Sequence, residues 1–203
     1  MSGALAFFGA FNPPTVAHLE LARFALEQTG RERTIFVPSK SVYIRGEQGK
    51  DFAYSDARRL EMLRAAAANR PWMAVTDWEM RREVQPRTYE TLCHLRSLGD
   101  TPALLMGSDK LPELEHGWLH VGEIAREFGI LCMTRGGDDC ARMLAEDPYL
   151  RALSPWITLI ETPAALRGIT STQVRRRVAA GESAEGRVPA EILPLLPIDL
   201  PGA

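Results

Sequence analysis

The sequence has no long hydrophobic run. No apolar stretch approaches the roughly 18 residues of a membrane span, so no transmembrane helix is expected. The apolar start, Met1 to Phe11, has no basic residues ahead of it and runs into Asn12-Pro13-Pro14, which argues against a signal peptide. Cysteine is scarce. Cys93, Cys132 and Cys140 are an odd number without CxxC spacing. That predicts reduced thiols in a cytoplasmic protein and neither a disulfide framework nor a zinc site. Neither sign of charge is in excess: 24 Lys and Arg against 26 Asp and Glu leave a net charge of −2. Broad attraction to nucleic acid is excluded, while a local basic pocket is not. There is no GK[ST] P-loop, no GxGxxG, and no Ser-His-Asp or Cys-His signature. His94, His116 and His120 have no metal-ligand spacing. No repeat, low-complexity segment or interdomain linker is visible.

What remains is an ordinary globular composition, 203 residues with 45% hydrophobic and 25% charged. It reads as one domain over 1–203 with an irregular, proline-containing tail from about residue 187. Ala4–Phe8, Thr34–Val37, Met73–Val75, Ala103–Met106, Ile130–Met133 and Ile157–Ile160 are short apolar runs bounded by Gly, Pro or polar residues, and read as strands. Helical spacing carries Leu19 to Leu26 with a stop at Gly30, Leu60 to Ala66 after a cap at Ser55 or Asp56, Thr88 to Leu98, and Thr172 to Ala180. Ser39 to Tyr54 is polar and reads as a loop. Strands alternating with helices predict an α/β protein: a Rossmann-like parallel sheet with helices on both faces. Ligands of such sheets bind beyond the strand carboxyl ends. Chemistry is therefore sought in Gly9–His18, Pro38–Gly46, Thr76–Glu79, Gly107–Asp109 and Thr134–Asp139.

Gly9-Ala10-Phe11-Asn12-Pro13-Pro14-Thr15-Val16-Ala17-His18 links the first strand to the first helix. Gly9 permits close backbone approach, and a helix N-terminus presents N–H groups to an anion. Thr15 and His18 share a face, being three apart. Read locally, the segment equally describes an ordinary helix start with a surface histidine. Near the other end, Ile169-Thr170-Ser171-Thr172-Gln173-Val174-Arg175 opens the last helix, with Ser171 or Thr172 as its cap and Arg175 one turn on. Hydroxyls, N–H groups and a guanidinium gathered there suit a polyphosphate; taken alone, a capped helix with a solvated Arg175-Arg176-Arg177 run fits better.

Together the two segments resemble the nucleotidyltransferase superfamily with [HT]xGH near the start and ISSTxxR near the end. The GxFNPxxxxH pattern, Gly107-Ser108-Asp109, Trp118 and Ile130 to Arg135 are similar to the nicotinamide/nicotinate mononucleotide adenylyltransferases. Val75-Thr76-Asp77-Trp78-Glu79 and Met133-Thr134-Arg135-Gly136-Gly137-Asp138 resemble the eukaryotic nicotinamide mononucleotide enzymes more than bacterial nicotinate ones. The resemblance runs from about Ala4 to Pro194. It departs at Ala17, which replaces the motif glycine, at Thr15, which is His in many relatives, and at Asn12, where many bacterial relatives have Asp. The match over residues 39–54 is loose.

The resemblance implies an adenylyltransferase of NAD biosynthesis that joins nicotinate or nicotinamide mononucleotide to the AMP moiety of ATP and releases pyrophosphate. It implies that His18 hydrogen-bonds the α-phosphate with Thr15 beside it. Ser171, Thr172 and Arg175 would hold the β- and γ-phosphates, and Gly9, Ala10 and Phe11 would offer backbone contacts to ATP. Asp109 would reach the ribose, with Gly107 keeping the backbone close. Arg45 would meet the mononucleotide phosphate, and Trp78, Trp118 and Thr88 would form the pyridine subsite. Mg2+ would ride mainly on the ATP phosphates, with no protein metal site. The partners implied are small molecules, with no nucleic acid, no membrane, and homo-oligomerisation left open. A rival acceptor is pantetheine phosphate, against which Trp78, Trp118 and the Thr134–Asp138 match argue. A catalytically silent nucleotide-binding protein is the other rival, against which the two phosphate motifs argue.

Overall fold

The computed structural model describes residues 3–46, 53–134, 138–166 and 168–196. Six strands, β1 (Gly3–Gly9), β2 (Arg33–Pro38), β3 (Met73–Val75), β4 (Thr101–Gly107), β5 (Ile130–Met133) and β6 (Ile157–Ile160), form one sheet in the order β3-β2-β1-β4-β5-β6. Every neighbouring pair is parallel, with Phe7 opposite both Phe36 and Leu105. All six are the apolar runs read from the sequence. Such runs suit a sheet covered on both faces, because side chains alternate between two interiors.

One interior holds Leu5, Phe36, Leu105 and Leu131, packed against α1 (Val16–Thr29) and α3 (Asp56–Ala67). The other holds Ala4, Ala6, Ile35, Val37, Leu104 and Met106 under α4 (Thr88–Ser97) and, further along, α6 (Val121–Phe128) and α8 (Pro148–Leu153). Between these lie α2 (Ser41–Arg45), α5 (Leu114–Gly117) and α7 (Cys140–Glu146), and α9 (Ser171–Ala179) follows β6. Gly30 ends α1 in the left-handed conformation, at φ 63°, the conformation in which glycine carries no steric penalty. No helix among the described residues is long and apolar enough to cross a membrane.

Three expectations are corrected. Residues 39–54 are not all loop, because α2 occupies Ser41–Arg45. Its Ile44 is buried, and the Asp56 carboxylate accepts both the amide and the hydroxyl of Ser41 at 2.6 Å. Residues 47–52 of that loop lie outside the described residues. The cap of α9 is Thr170, not Ser171 or Thr172. Thr170 and Gln173 make a reciprocal capping box, each side chain accepting the other's main-chain N–H at 3.2 Å. The proline-containing tail is not wholly irregular: Ala190–Leu195 forms a 3-10 helix whose Ile192 is fully buried. Residues 197–203 lie outside the described residues.

Candidate active site

The sheet order reverses between β1 and β4, and their carboxyl ends open a cleft of about 1020 Å3. This is the crevice that an open parallel sheet offers a ligand. Its wall includes Gly9, Ala10, Phe11, Thr15 and His18 from the first motif, and Ser171, Thr172 and Arg175 from the last helix. Gly107, Asp109, Thr88 and Trp118 line it as well.

The first motif is built around a capping box that uses a histidine. Thr15 is the N-cap of α1, and its Oγ1 accepts the His18 main-chain N–H at 3.3 Å. His18 Nδ1 accepts the Thr15 main-chain N–H at 3.0 Å and lies 2.8 Å from Thr15 Oγ1. A main-chain N–H only donates, so Nδ1 carries no proton and the ring proton sits on Nε2. The His18 ring also meets the Phe11 ring edge-on at 5.3 Å. Thr15 is fully buried, so its hydroxyl orients His18 instead of standing open to a ligand. The α1 N-terminus is also less available than expected, since Arg187 O already accepts the Val16 amide at 3.0 Å.

Gly9 serves packing. A Cβ there would lie 3.0 to 3.3 Å from the Phe11 ring atoms. The carbonyls of Gly9 and Ala10 already accept Ser39 N at 3.0 Å and Arg59 Nη1 at 2.6 Å.

Four donors hold the segment that follows. Asn12 Oδ1 accepts the Tyr54 amide at 2.9 Å, and Asn12 O accepts Arg175 Nη1 at 2.7 Å. Pro13 O accepts the Ser171 hydroxyl at 2.8 Å, and Arg59 holds Ala10 as above. Arg59 is fully buried and also donates to Tyr54 O, Ser39 O, Ser41 Oγ and Asp56 Oδ1. Burial pulls its pKa down while Asp56 opposes the shift. Burial also raises the Asp56 carboxyl, but hydrogen bonds from Ser41 and Arg59 outweigh it and leave the group below its ordinary value. Sequence reasoning missed Arg59. The signal was its phase: Arg59, Met62, Leu63 and Ala66 follow the spacing of a buried helix face.

Arg175 is half-buried, and burial lowers its pKa, with Tyr54 opposing and Arg176 adding to the shift. Its Nη2 lies 3.3 Å from Thr172 Oγ1. Helical phase turns Arg177 elsewhere, where it pairs with Glu182 at 2.9 Å and with Ser183 O at 2.9 Å. Asp109 is exposed at the start of a 3-10 helix, with Lys110 Nζ at 3.9 Å. Glu79 and Gln85 complete the cleft on the β3 side.

Residues 6–177 match the cytidylyltransferase-like family. A Neisseria meningitidis protein (serogroup C) named "Probable nicotinate-nucleotide adenylyltransferase" is 30% identical over 196 residues, 91% of this chain and 90% of its own length. The chain belongs to this family, among the nicotinate and nicotinamide mononucleotide adenylyltransferases. Nicotinamide/nicotinic acid mononucleotide adenylyltransferase 2 of Caenorhabditis elegans is 27% identical over 211 residues, 94% of this chain and 93% of its own. In fold, the chain is similar to the Plasmodium falciparum nicotinic acid mononucleotide adenylyltransferase solved with NaAD. The TM-score is 0.73 at 16% identity, covering 96% of this chain and 94% of that one.

Two residues assigned through the adenylyltransferase resemblance are not in the cleft. Arg45 is exposed at the end of α2 and is absent from the cleft wall. The α2 helix is the reason, because it buries Ser41 and Ile44 and turns Arg45 outward. Trp78 lines a separate, shallower depression, stacked on His94 at 4.5 Å with Arg82 4.4 Å from its ring centre. Trp118 is half-buried and does line the cleft. Residues 135–137 of the Thr134–Asp138 match lie outside the described residues.

Proposed function

We propose that the protein transfers the adenylyl group of ATP to nicotinate or nicotinamide mononucleotide, as a step of NAD synthesis in the cytoplasm, where free thiols stay reduced. A phosphate oxygen of the mononucleotide attacks the α-phosphorus. The new P–O bond forms as the bond to the bridging oxygen breaks, and pyrophosphate leaves. The nucleophile is already anionic, so no general base is needed. Rate comes from positioning and from stabilising charge on the transferring phosphoryl group.

The observation that carries this reading is that the first and last motifs meet. Arg175 and Ser171 donate to Asn12 O and Pro13 O beside the Thr15–His18 box. The His18 imidazole, the start of α9 and the Arg175 guanidinium therefore share one cleft wall, which supports this reading. In this reading His18 donates to the α-phosphate, and Arg175, the Thr172 hydroxyl and Ser171, through its main-chain N–H at the start of α9, hold the β- and γ-phosphates. Gly9, Ala10 and Phe11 line the ATP side, and Gly107 and Asp109 receive the ribose. Trp118 and Thr88 take the pyridine.

Mg2+ fits here as an ion carried by phosphate oxygens and water. Among the described residues, no three or more His, Cys, Asp or Glu are gathered closely enough to cage a metal. Bound with ATP, the ion would neutralise charge on the departing pyrophosphate.

The test is pyrophosphate release from ATP with each mononucleotide in turn, and with pantetheine phosphate as control. Turnover with both pyridine mononucleotides is expected. Turnover with the pantetheine substrate alone, or with none, overturns the reading.

A further inference from the structure

Glu79 is the buried charge of the cleft wall, only 2% exposed on the segment after β3. Each of its oxygens has its own donor. Oε1 accepts the Thr91 hydroxyl of α4 at 2.7 Å, and Oε2 accepts the Gln85 side-chain amide. Gln85 Oε1 in turn accepts the main-chain N–H of Lys40, just past β2, at 2.8 Å. One carboxylate thus ties together the β2 end, the loop before α4 and the first turns of α4. Both of its partners are neutral, and among the described residues no cation pairs with it. Burial pushes the carboxyl up to about 7, with the Thr91 and Gln85 hydrogen bonds pulling the other way. A buried charge held only by neutral donors is costly, and costs of this kind concentrate at functional sites.

We propose that Glu79 is a positioning residue for the mononucleotide, fixing the wall formed by Gln85, Pro86, Arg87 and Thr88. All four line the cleft. The inference rests on the adenylyl-transfer reading above and concerns the acceptor side of that same site. The orientation of Gln85 is set from both ends, its NH2 donating to the Glu79 carboxylate and its oxygen accepting the Lys40 N–H. Without Glu79, Gln85 keeps the Lys40 N–H but its NH2 is left with only the Pro86 carbonyl at 3.5 Å, so the wall between Gln85 and Thr88 is held less firmly to α4. The ATP side is held independently by Arg59, Tyr54, Ser171 and Arg175.

A glutamine at the same place can keep most of this geometry. Its oxygen can receive the Gln85 NH2, and its own NH2 can donate to Thr91, whose hydroxyl has the Arg87 carbonyl at 3.5 Å as an alternative acceptor. Leucine keeps the volume and offers nothing. Glu79→Leu should therefore raise KM for the mononucleotide at least tenfold and leave KM for ATP within about twofold. Glu79→Gln should stay within about threefold of wild type for both substrates.

Steady-state kinetics of wild type, Glu79→Leu, Glu79→Gln and Gln85→Leu, each varied against ATP and against mononucleotide, decide the matter. Gln85→Leu removes the other half of the link and should reproduce the selective KM rise, which keeps the test available even where Glu79→Leu fails to fold. An equal loss towards both substrates, an unchanged KM for mononucleotide in a folded Glu79→Leu or Gln85→Leu protein, or a Glu79→Gln protein as impaired as Glu79→Leu overturns the proposal. A wild-type protein that turns over neither mononucleotide would instead fail the adenylyl-transfer reading.

Discussion

Arg175 donates from Nη1 to the main-chain carbonyl of Asn12 at 2.7 Å, across a sequence separation of 163 residues. One guanidinium therefore does two things. It fastens the mouth of α9 to the turn after β1, and the same residue lines the cleft, with Nη2 on Thr172 Oγ1. A planar fork can serve a carbonyl and a phosphate at once, whereas an ammonium is a single point charge.

Arg175→Lys should accordingly raise KM for ATP by about tenfold or more despite keeping the charge, since the fork geometry is lost. Arg177→Ala removes an exposed pair with Glu182, a class of contact worth about 0–1 kcal/mol, and should leave ATP kinetics unchanged. ATP-varied kinetics on the two proteins check this. The reverse ranking would mean that the phosphate-binding role belongs to a different face of α9.

His18→Ala should lower kcat by roughly 10²–10³, the usual effect of removing a donor that stabilises developing charge, with smaller changes in either KM. Thr15→Val keeps the imidazole but removes the 2.8 Å contact to Nδ1 and the cap on the His18 amide. It should lower kcat less than His18→Ala and also reduce stability by about 1 kcal/mol, the typical value of a lost N-cap. Near-normal turnover in His18→Ala would separate His18 from the chemistry, and a Thr15→Val protein that loses stability and no rate would limit Thr15 to capping α1.

The parts legible in the sequence were those set by local pattern. Each of the six strands is a short apolar run, three of them closed by Gly9, Pro38 or Gly107, and Gly30 and Ser55 mark their helix ends as seen. The less legible parts depend on what packs against what. Arg45 and Trp78 sit at plausible spacings, yet α2 turns one outward and His94 stacks on the other. Arg59 lies within the pair Arg58-Arg59, which reads as a solvated face until its phase with Met62 and Leu63 is noticed. Glu79 fell inside a segment marked for chemistry, but nothing local shows that a carboxylate will be buried, because the donors that allow it, Gln85 and Thr91, come from later in the chain.

The two tryptophans should behave differently. Trp118 lines the cleft, so Trp118→Ala should weaken mononucleotide binding by about tenfold and leave ATP affinity nearly unchanged, as expected for loss of a flat stacking surface. Trp78 is occupied by His94 and Arg82 outside the cleft, so Trp78→Ala should lower the melting temperature with little effect on either ligand. Calorimetric titration of both proteins with both ligands, alongside thermal melts, distinguishes them. Selective loss of mononucleotide in Trp78→Ala would place the pyridine against the shallower depression.

The Glu79 carboxyl also makes a signed prediction for stability against pH. Desolvation moves it from an ordinary 4.5 to about 7 in the folded protein. Below pH 4.5 both folded and unfolded chains are protonated at this group, and it costs nothing. Between those values the unfolded chain releases a proton that the fold retains, so raising the pH favours unfolding, and the cost is fully developed above about pH 7. The displacement corresponds to about 3 kcal/mol. Glu79→Gln removes the ionisation and can keep the hydrogen bonds, so its stability relative to wild type should climb from pH 4.5 to pH 8. Urea unfolding of the two proteins at pH 5 and pH 8 measures that difference directly. A difference of the same size at both pH values would mean that Glu79 titrates alike in the folded and unfolded chains, and that its burial carries no charge penalty.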